Sequence, residues 1–172
     1  MLTKRLFYLL LCCSILYLSC KPGHFRSPEK FVQYISDPAH GLVQRQQEQD
    51  TVYTAQLFPL DYQLLLAGCG NGTVNCDSLR QQFDSCYYFR FEMNGKRIPE
   101  SVIYDMANQF TLQSGKDTLV CGLCQPIANG KASSTEYMLV FYRRSAAKHD
   151  LLLKYNQHAF SFSQRNLDVT LY

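Results

Sequence analysis

The clearest structural pattern in the sequence is Cys86-Tyr-Tyr-Phe-Arg-Phe-Glu-Met-Asn94-Gly95. Every second residue from Tyr87 to Met93 is aromatic or apolar, whereas the positions between them include Arg90 and Glu92. This alternation is typical of a β-strand with one buried face, and the Asn-Gly pair at its end favours a tight turn. Tyr88 lies on the polar side of the strand. We expect it to be an exposed anchor for a partner, because tyrosine is common at interfaces.

Further strands are predicted on both sides of this segment. The most regular is Thr51 to Phe58, in which Tyr53, Ala55 and Leu57 share one face. The other candidates have a similar composition and are bounded by turn residues. They are two strands around Ser114-Gly115-Lys116-Asp117, then Glu136 to Arg143, Leu151 to Tyr155, and finally Phe160 to Phe162 and Val169 to Tyr172, which we expect to close the sheet. We interpret the polar run from Gln44 to Asp50 as an exposed connection.

Three short helices are predicted, all in the first half of the chain. Ser27 is a suitable N-cap for the first, which Asp37-Pro38 ends. The second begins near Pro59 and ends at Gly68, and the third is Asp77 to Ser85, with Asp77 as its expected N-cap. Strands and helices together predict an α+β fold. We expect an antiparallel, meander-rich sheet, as a sandwich or an open barrel, with short helices near the N-terminus.

The first twenty residues predict where the protein is sent. Lys4 and Arg5 precede an apolar run from Leu6 to Leu18, which is shorter than the roughly twenty residues of a membrane-spanning helix. A basic start, a short apolar run and a small residue after it are typical of a secretory signal peptide. We therefore predict a signal peptide over residues 1–19, a tether over 20–26 and a single globular domain over 27–172.

The junction Tyr17-Leu18-Ser19-Cys20 resembles the lipobox of bacterial lipoproteins. In that family a diacylglycerol is added to the cysteine thiol, the signal peptide is cut before it, and the new amine is acylated, for example with palmitate. Ser19 and Cys20 carry the resemblance, whereas Tyr17 and Leu18 differ from the usual residues. It implies that Cys20 is lipidated and anchors the chain to a membrane of the bacterial cell envelope. The alternatives are an ordinary secretory signal and an apolar N-terminus with a chance cysteine.

The residue after the cysteine bears on the choice of membrane. Lys21, and not an aspartate, follows Cys20. By resemblance to other lipoproteins this favours the outer membrane, on the side that faces the periplasm.

A broader resemblance covers much of the remaining chain. The segments Phe31 to Leu42 and Tyr53 to Tyr62 are similar to the start of small uncharacterised lipoproteins of Bacteroidota, and Phe110 to Cys121 and Met138 to Tyr142 also look like that group. The resemblance implies no activity. It implies three short O-glycosylation signals, which are Asp50-Thr51-Val52, Asp77-Ser78-Leu79 and Asp117-Thr118-Leu119.

Charge gives little reason to expect a nucleic-acid partner. The chain has 17 lysines and arginines against 14 aspartates and glutamates, and Lys4 and Arg5 belong to the predicted signal peptide. The rest is close to neutral, which does not favour binding to a polyanion. Positive charge is concentrated at Arg143-Arg144 with Lys148 and His149. This cluster is either a contact for anionic lipid head groups or a solvated loop, and we favour the loop.

Five of the eight cysteines remain once Cys12 and Cys13 are assigned to the signal peptide and Cys20 to the lipid. They are Cys69, Cys76, Cys86, Cys121 and Cys124. Cysteines of an exported protein tend to pair, which allows two disulfides and one leftover thiol, with the connectivity open. The spacing Cys121-Gly-Leu-Cys124 is also found in redox centres and zinc sites. We favour structural or free cysteines, and the alternative is a periplasmic thiol-disulfide protein that uses Cys121 and Cys124.

Motifs of the common catalytic classes are absent from the sequence. It contains no phosphate-binding glycine loop, HExxH pair or nucleophile elbow, and its histidines, His24, His40, His149 and His158, are far apart. We therefore predict no catalytic residue, no metal site and no cofactor, and expect that the protein is not an enzyme; a hydrolase is the third hypothesis. The preferred interpretation is a membrane-anchored envelope lipoprotein with a binding or scaffolding role, whose partners are the membrane and an unidentified protein or glycan.

Overall fold

Eleven β-strands and three α-helices lie in the part of the chain that the computed structural model describes, residues 23–69, 75–95, 106–131 and 133–171. The helices are α1 (Pro28–Ser36), α2 (Leu60–Leu66) and α3 (Cys76–Asp84). The strands are β1 (His24–Phe25), β2 (Val43–Glu48), β3 (Thr51–Phe58), β4 (Cys86–Asn94), β5 (Phe110–Ser114), β6 (Asp117–Val120), β7 (Leu123–Ile127), β8 (Ser134–Tyr142), β9 (Leu151–Tyr155), β10 (His158–Phe162) and β11 (Thr170–Leu171).

β4 is the central strand of a five-stranded antiparallel sheet with the order β2-β3-β4-β8-β7. Its register places Phe91 opposite Ala55 of β3 and Tyr137 of β8. The alternation predicted from the sequence is confirmed, since all four apolar positions from Tyr87 to Met93 are buried and the residues between them are partly exposed. One face of this sheet is therefore core.

A second, four-stranded antiparallel sheet covers that face, with the order β10-β9-β5-β6. The two sheets meet through aromatic rings. The Phe91 ring centroid lies 4.9 Å from those of Phe110 and Tyr155, and the Phe89 centroid lies 5.4 Å from that of Phe162. The sheets form a sandwich, and the predicted α+β fold class is confirmed.

Polar side chains join one pair of sheet edges, β2 and β10. His158 contacts Gln46 through Nδ1 at 3.1 Å and Glu48 through Nε2 at 3.0 Å, and the Gln46 side-chain amide donates to the Ala159 carbonyl at 2.5 Å. The prediction of an exposed connection over Gln44 to Asp50 is wrong for Gln44 to Glu48, which belong to β2, whereas Gln49 and Asp50 form the exposed turn to β3. The polar residues of β2 pair with the neighbouring edge instead of facing only solvent.

The helices begin and end close to the predicted positions. The Ser27 hydroxyl caps α1 by accepting a hydrogen bond from the Lys30 amide at 3.4 Å, as expected. Asp77 is not the N-cap of α3. That role belongs to Asn75, whose side-chain oxygen accepts from the Ser78 amide at 3.3 Å.

The two ends of the described chain pair with each other in parallel, β1 with β11. The prediction that Val169 to Tyr172 closes the sheet is wrong, because β11 pairs with β1 in a separate two-stranded sheet. His24 and Phe25 belong to the predicted tether, yet they are docked on the domain, with the Phe25 ring centroid 4.9 Å from that of Tyr34. None of the helices among the described residues is long and apolar enough to cross a membrane.

Candidate functional site

A cleft of about 200 Å³ opens between helices α2 and α3, the start of β4 and the C-terminal segment Gln164 to Thr170. We call it the charged cleft. Its walls combine aromatic rings with side chains of both charges. The residues that line it include Phe58, Asp61, Arg80, Phe83, Asp84, Cys86, Tyr87, Tyr88, Arg143, Lys148, Asp168 and Thr170.

Among the described residues, three cations line the charged cleft, and each one is paired with a carboxylate. The pairs are Arg80 with Asp61 at 3.3 Å, Arg143 with Asp84 at 2.9 Å and Lys148 with Asp168 at 2.5 Å. The lining is therefore balanced in charge. A strongly anionic ligand would have to compete with these carboxylates, so the cleft suits a partner that is neutral or carries both charges.

Arg143 is the most firmly held of the three cations. Its guanidinium donates to both the carbonyl and the carboxylate of Asp84 at 2.9 Å, and it lies 5.1 Å above the centre of the Tyr87 ring. Only 14% of its side chain is exposed. The sequence suggested a solvated loop over Arg143, Arg144, Lys148 and His149, and for Arg143 this is wrong because the side chain forms a wall of the cleft.

Tyr88 lies in the same wall. It is partly buried, and the Phe83 ring of α3 packs against it edge-on at 5.9 Å. Burial, followed by the nearby Cys86 thiol, raises the pKa of Tyr88 to about 12, so the hydroxyl stays protonated at neutral pH. The expected anchor residue is thus in the cleft, but it is less exposed than the sequence suggested.

Two exposed apolar side chains, Tyr142 and Leu123, lie on the same outer face of the sheet as Tyr88, with the buried Val140 between Tyr88 and Leu123. Tyr142 is 62% exposed and Leu123 is 46% exposed. The strand register places Tyr142 opposite Cys86 and places Val140 between Tyr88 and Leu123. Sequence analysis missed Tyr142 and Leu123. No pattern in the sequence separates Tyr142 from the continuous apolar run Tyr137 to Phe141 before it. Leu123 was missed because β7 was not predicted.

The five cysteines among the described residues carry thiols that are not joined in disulfides. Burial raises the pKa of Cys121, and it raises that of Cys124 to about 12. The Cys121 thiol donates to the Leu123 carbonyl at 3.0 Å, and Cys124 lies within β7, not at the start of a helix. A catalytic thiol needs a lowered pKa, so these features oppose the thiol-disulfide alternative.

The four histidines do not come together. His24 contacts the Thr170 hydroxyl at 2.6 Å, His40 stacks on Tyr34 at 3.7 Å, and His158 joins the sheet edges. His149 lies beside Gly115. Within the described ranges no three potential metal ligands form a cluster.

An ion pair on the outer face of the sheet, in which the Glu136 side chain is buried and that of Arg90 is 38% exposed, was also missed from the sequence. Arg90 donates to Glu136 through Nη2 at 2.7 Å and through Nε at 2.8 Å, and the Asn129 amide donates to the same carboxylate at 3.0 Å. Burial raises the pKa of Glu136, but these hydrogen bonds outweigh it and the pKa is lowered. Arg90 and Glu92 also border a polar groove of about 190 Å³. The alternation of β4 placed Arg90 and Glu92 outward without indicating this partnership.

The structure separates the three predicted glycosylation signals. Thr51 is 7% exposed, so its hydroxyl is poorly placed for modification of the folded protein. Ser78 and Thr118 are exposed. Cys20 and the predicted signal peptide lie outside the described residues, as does most of the predicted tether.

Comparison with known proteins gives no assignment. No protein-family model matches the sequence, and no curated protein matches it either. A solved structure from Staphylococcus aureus subsp. aureus NCTC 8325, described as a "putative lipoprotein", is similar over 76% of this chain and 99% of that chain, with 10% identity and a TM-score of 0.39. Likeness at this level carries no argument about fold or function.

Proposed function

We propose that the chain is a lipid-anchored protein of a bacterial cell envelope that binds a partner protein through the charged cleft and the adjoining surface of Tyr142 and Leu123. No catalytic step is part of the proposal. The lipidated residue is Cys20, and the membrane is the outer membrane, with the domain in the periplasm. The lipobox-like junction supports the anchor, and the position of the cleft supports the binding role.

The observation that carries the proposal is that the charged cleft opens beside the end of the chain that would hold the lipid. His24 hydrogen-bonds to Thr170, and Thr170 lines the cleft. Three residues lie between Cys20 and His24, and a fully extended chain covers about 14 Å over these four residue steps. An anchor at Cys20 therefore keeps the cleft within a short distance of the membrane surface, where it would meet other envelope proteins.

The composition of the surface favours a protein over a nucleic acid or an anionic surface. Its cations are already neutralised, while Tyr142 and Leu123 present exposed apolar area next to the cleft. Tyrosine and arginine carry much of the binding energy in protein interfaces. The volume of about 200 Å³ is below the 300–1,000 Å³ of typical small-molecule pockets, which suits one or two inserted side chains.

Two experiments test the two halves of the proposal. For the anchor, the protein is purified from the membranes of a bacterial host and its intact mass is measured. We expect the mass of residues 20–172 plus acyl groups, and a Cys20→Ala variant that leaves the membrane fraction. A mass that retains residues 1–19, or a variant that stays membrane-bound after signal cleavage, would refute the anchor.

For the binding role, a photo-crosslinking amino acid replaces Tyr88 in one variant and Gln47 in the control. Gln47 is exposed on β2, at the far edge of the sheet. We expect one discrete crosslinked protein in intact cells from position 88 and none from position 47, and expect Tyr142→Ala to weaken the crosslink. Equal crosslinking from both positions, or crosslinking only to lipid, would contradict a protein-binding cleft.

A further inference from the structure

The polar groove of about 190 Å³ lies on the outer face of the five-stranded sheet, beside the C-terminal end of α1. Its lining comes from α1 and three neighbouring strands and includes Arg45, Thr54, Gln56, Arg90 and Glu92. The strand register sets the floor in two rows. Thr54 lies between Arg45 and Glu92 in one row, and Gln56 lies opposite Arg90 in the next. None of the described residues lines both this groove and the charged cleft.

Contacts with neighbouring residues hold the side chains of the floor in place. Arg90 donates to Glu136 through Nε and Nη2, which leaves Nη1 as a donor. The side-chain amide of Gln56 donates to the Ile35 carbonyl at 3.1 Å, which leaves its side-chain oxygen as an acceptor. Groups that are already fixed lose little conformational entropy when a ligand binds. The floor of the groove is therefore preorganised for hydrogen bonding.

The charges around the groove add up to one positive charge. Glu136 neutralises Arg90, and the Lys131 ammonium lies 3.5 Å from the Glu92 carboxylate. Arg45 has no carboxylate partner within the described ranges. It is exposed on an edge strand, so its guanidinium is accessible and can hold a carboxylate through two parallel hydrogen bonds.

We propose that the polar groove binds a sugar acid, with the carboxylate of the ligand on Arg45 and its ring hydroxyls on the floor. One positive charge matches one carboxylate, and Glu92 disfavours a ligand with two negative charges, such as a phosphate ester. The Thr54 hydroxyl has no hydrogen-bond partner among the described residues. Together with Gln56 and Glu92 it supplies the donors and acceptors that a polyhydroxylated ring needs.

The lining distinguishes this groove from a surface for a protein partner. None of its described residues is aromatic, and Val43, its apolar member, is buried, whereas protein interfaces depend on aromatic anchors. The volume is below that of typical drug-sized pockets, which suits a single sugar ring. The proposal goes beyond the proposed function and does not rest on it.

The test is a calorimetric titration of the purified full chain with D-glucuronate. We expect saturable binding with one site per chain. D-glucose, which lacks the charge, and acetate, which lacks the ring, should each bind at least about tenfold more weakly, because each loses one set of contacts. Equal binding of glucose or acetate would refute a sugar-acid site. No saturable binding at about 50 mM glucuronate, well above a millimolar Kd, would also refute it.

The variants assign the binding to the groove. Arg45→Gln should weaken glucuronate binding about tenfold by removing a charge-assisted contact, without changing the binding of glucose. Thr54→Val should weaken it about threefold. Arg165→Gln, the matched control, removes an exposed arginine outside the groove and should leave the Kd unchanged. An unchanged Kd in Arg45→Gln, or an equal loss in Arg165→Gln, in protein with native circular dichroism, would refute the proposal.

A free sugar acid and one residue of an acidic glycan share this chemistry. Titration with a hyaluronan tetrasaccharide separates them, because tighter binding than that of glucuronate assigns the groove to a glycan and absence of binding assigns it to the free acid. None of these measurements involves Tyr88 or Cys20. Failure of the groove is therefore distinguished from failure of the proposed function.

Discussion

Replacing Phe91 with alanine tests whether the two sheets pack through the centre of β4. Phe91 is fully buried, and its ring lies between those of Phe110 and Tyr155 at 4.9 Å and that of Phe160 at 5.9 Å. Truncation of a core phenylalanine to alanine costs about 3–5 kcal/mol, because the buried area is lost and a cavity remains. For a chain of this size each kcal/mol lowers Tm by roughly 2–4 °C, so we expect a fall of roughly 6–20 °C.

The assay is urea-induced unfolding followed by circular dichroism, with Tyr142→Ala as the control. Tyr142 is an exposed aromatic residue of the neighbouring strand, and its removal should change the unfolding free energy by at most about 0.5 kcal/mol. The dependence of the free energy on urea should stay the same in both variants. A loss below about 1.5 kcal/mol for Phe91→Ala with an unchanged slope, or an equal loss for Tyr142→Ala, would refute the packing described here.

Three further predictions concern stability. The pKa of Glu136 is lowered in the fold, so its stabilising effect is present above the ordinary glutamate pKa of about 4.3 and is lost as the pH falls below it. The free energy of unfolding, measured in urea between pH 7 and pH 3, should fall less for Glu136→Gln than for the native chain. An equal fall in both proteins would contradict this. The buried Tyr137 hydroxyl has no hydrogen-bond partner among the described residues; Tyr137→Phe should therefore raise the unfolding free energy by about 1 kcal/mol, and a loss would indicate a missed partner. Asn75→Ala should lower the unfolding free energy by about 1 kcal/mol because an N-cap is lost. Asp77→Ala should lower it clearly less in the same assay, and the reverse order would indicate that Asp77 is the cap.

Strands with one buried face could be predicted from the sequence. β3 and β4 alternate because their odd-numbered residues, such as Tyr53 and Phe91, enter the core while the residues between them do not. β2 could not be recognised in this way. It is an edge strand with polar residues on both faces, and its stabilising contact, between Glu48 and His158, spans 110 positions. Local periodicity contains no information about such a partner.

The charged cleft could not be predicted from the sequence, for a similar reason. Arg143 and Asp84 are separated by 59 positions, and neither residue is unusual in its own surroundings. The basic run at 143–149 suggested one surface cluster, but β8 ends at Tyr142 and the chain then turns past α3, which buries Arg143 and leaves Arg144 exposed. Among the cleft residues that the sequence pointed to, Tyr88 alone was predicted to be an anchor for a partner, because it is an aromatic residue on the polar side of a clearly alternating strand.

The location of the cleft follows from the order of the elements along the chain. β3 and β4 are neighbours in the sheet, yet α2 and α3 lie between them in sequence. Since the four-stranded sheet covers the core face, these helices pack on the other face, where Phe58 meets Tyr62 at 4.7 Å and Tyr88 meets Phe83. The cleft is the space between this helical layer and the C-terminal segment. Partner binding should therefore respond to changes in the helical layer, such as the Asp61–Arg80 pair, while changes in the sandwich core affect stability first.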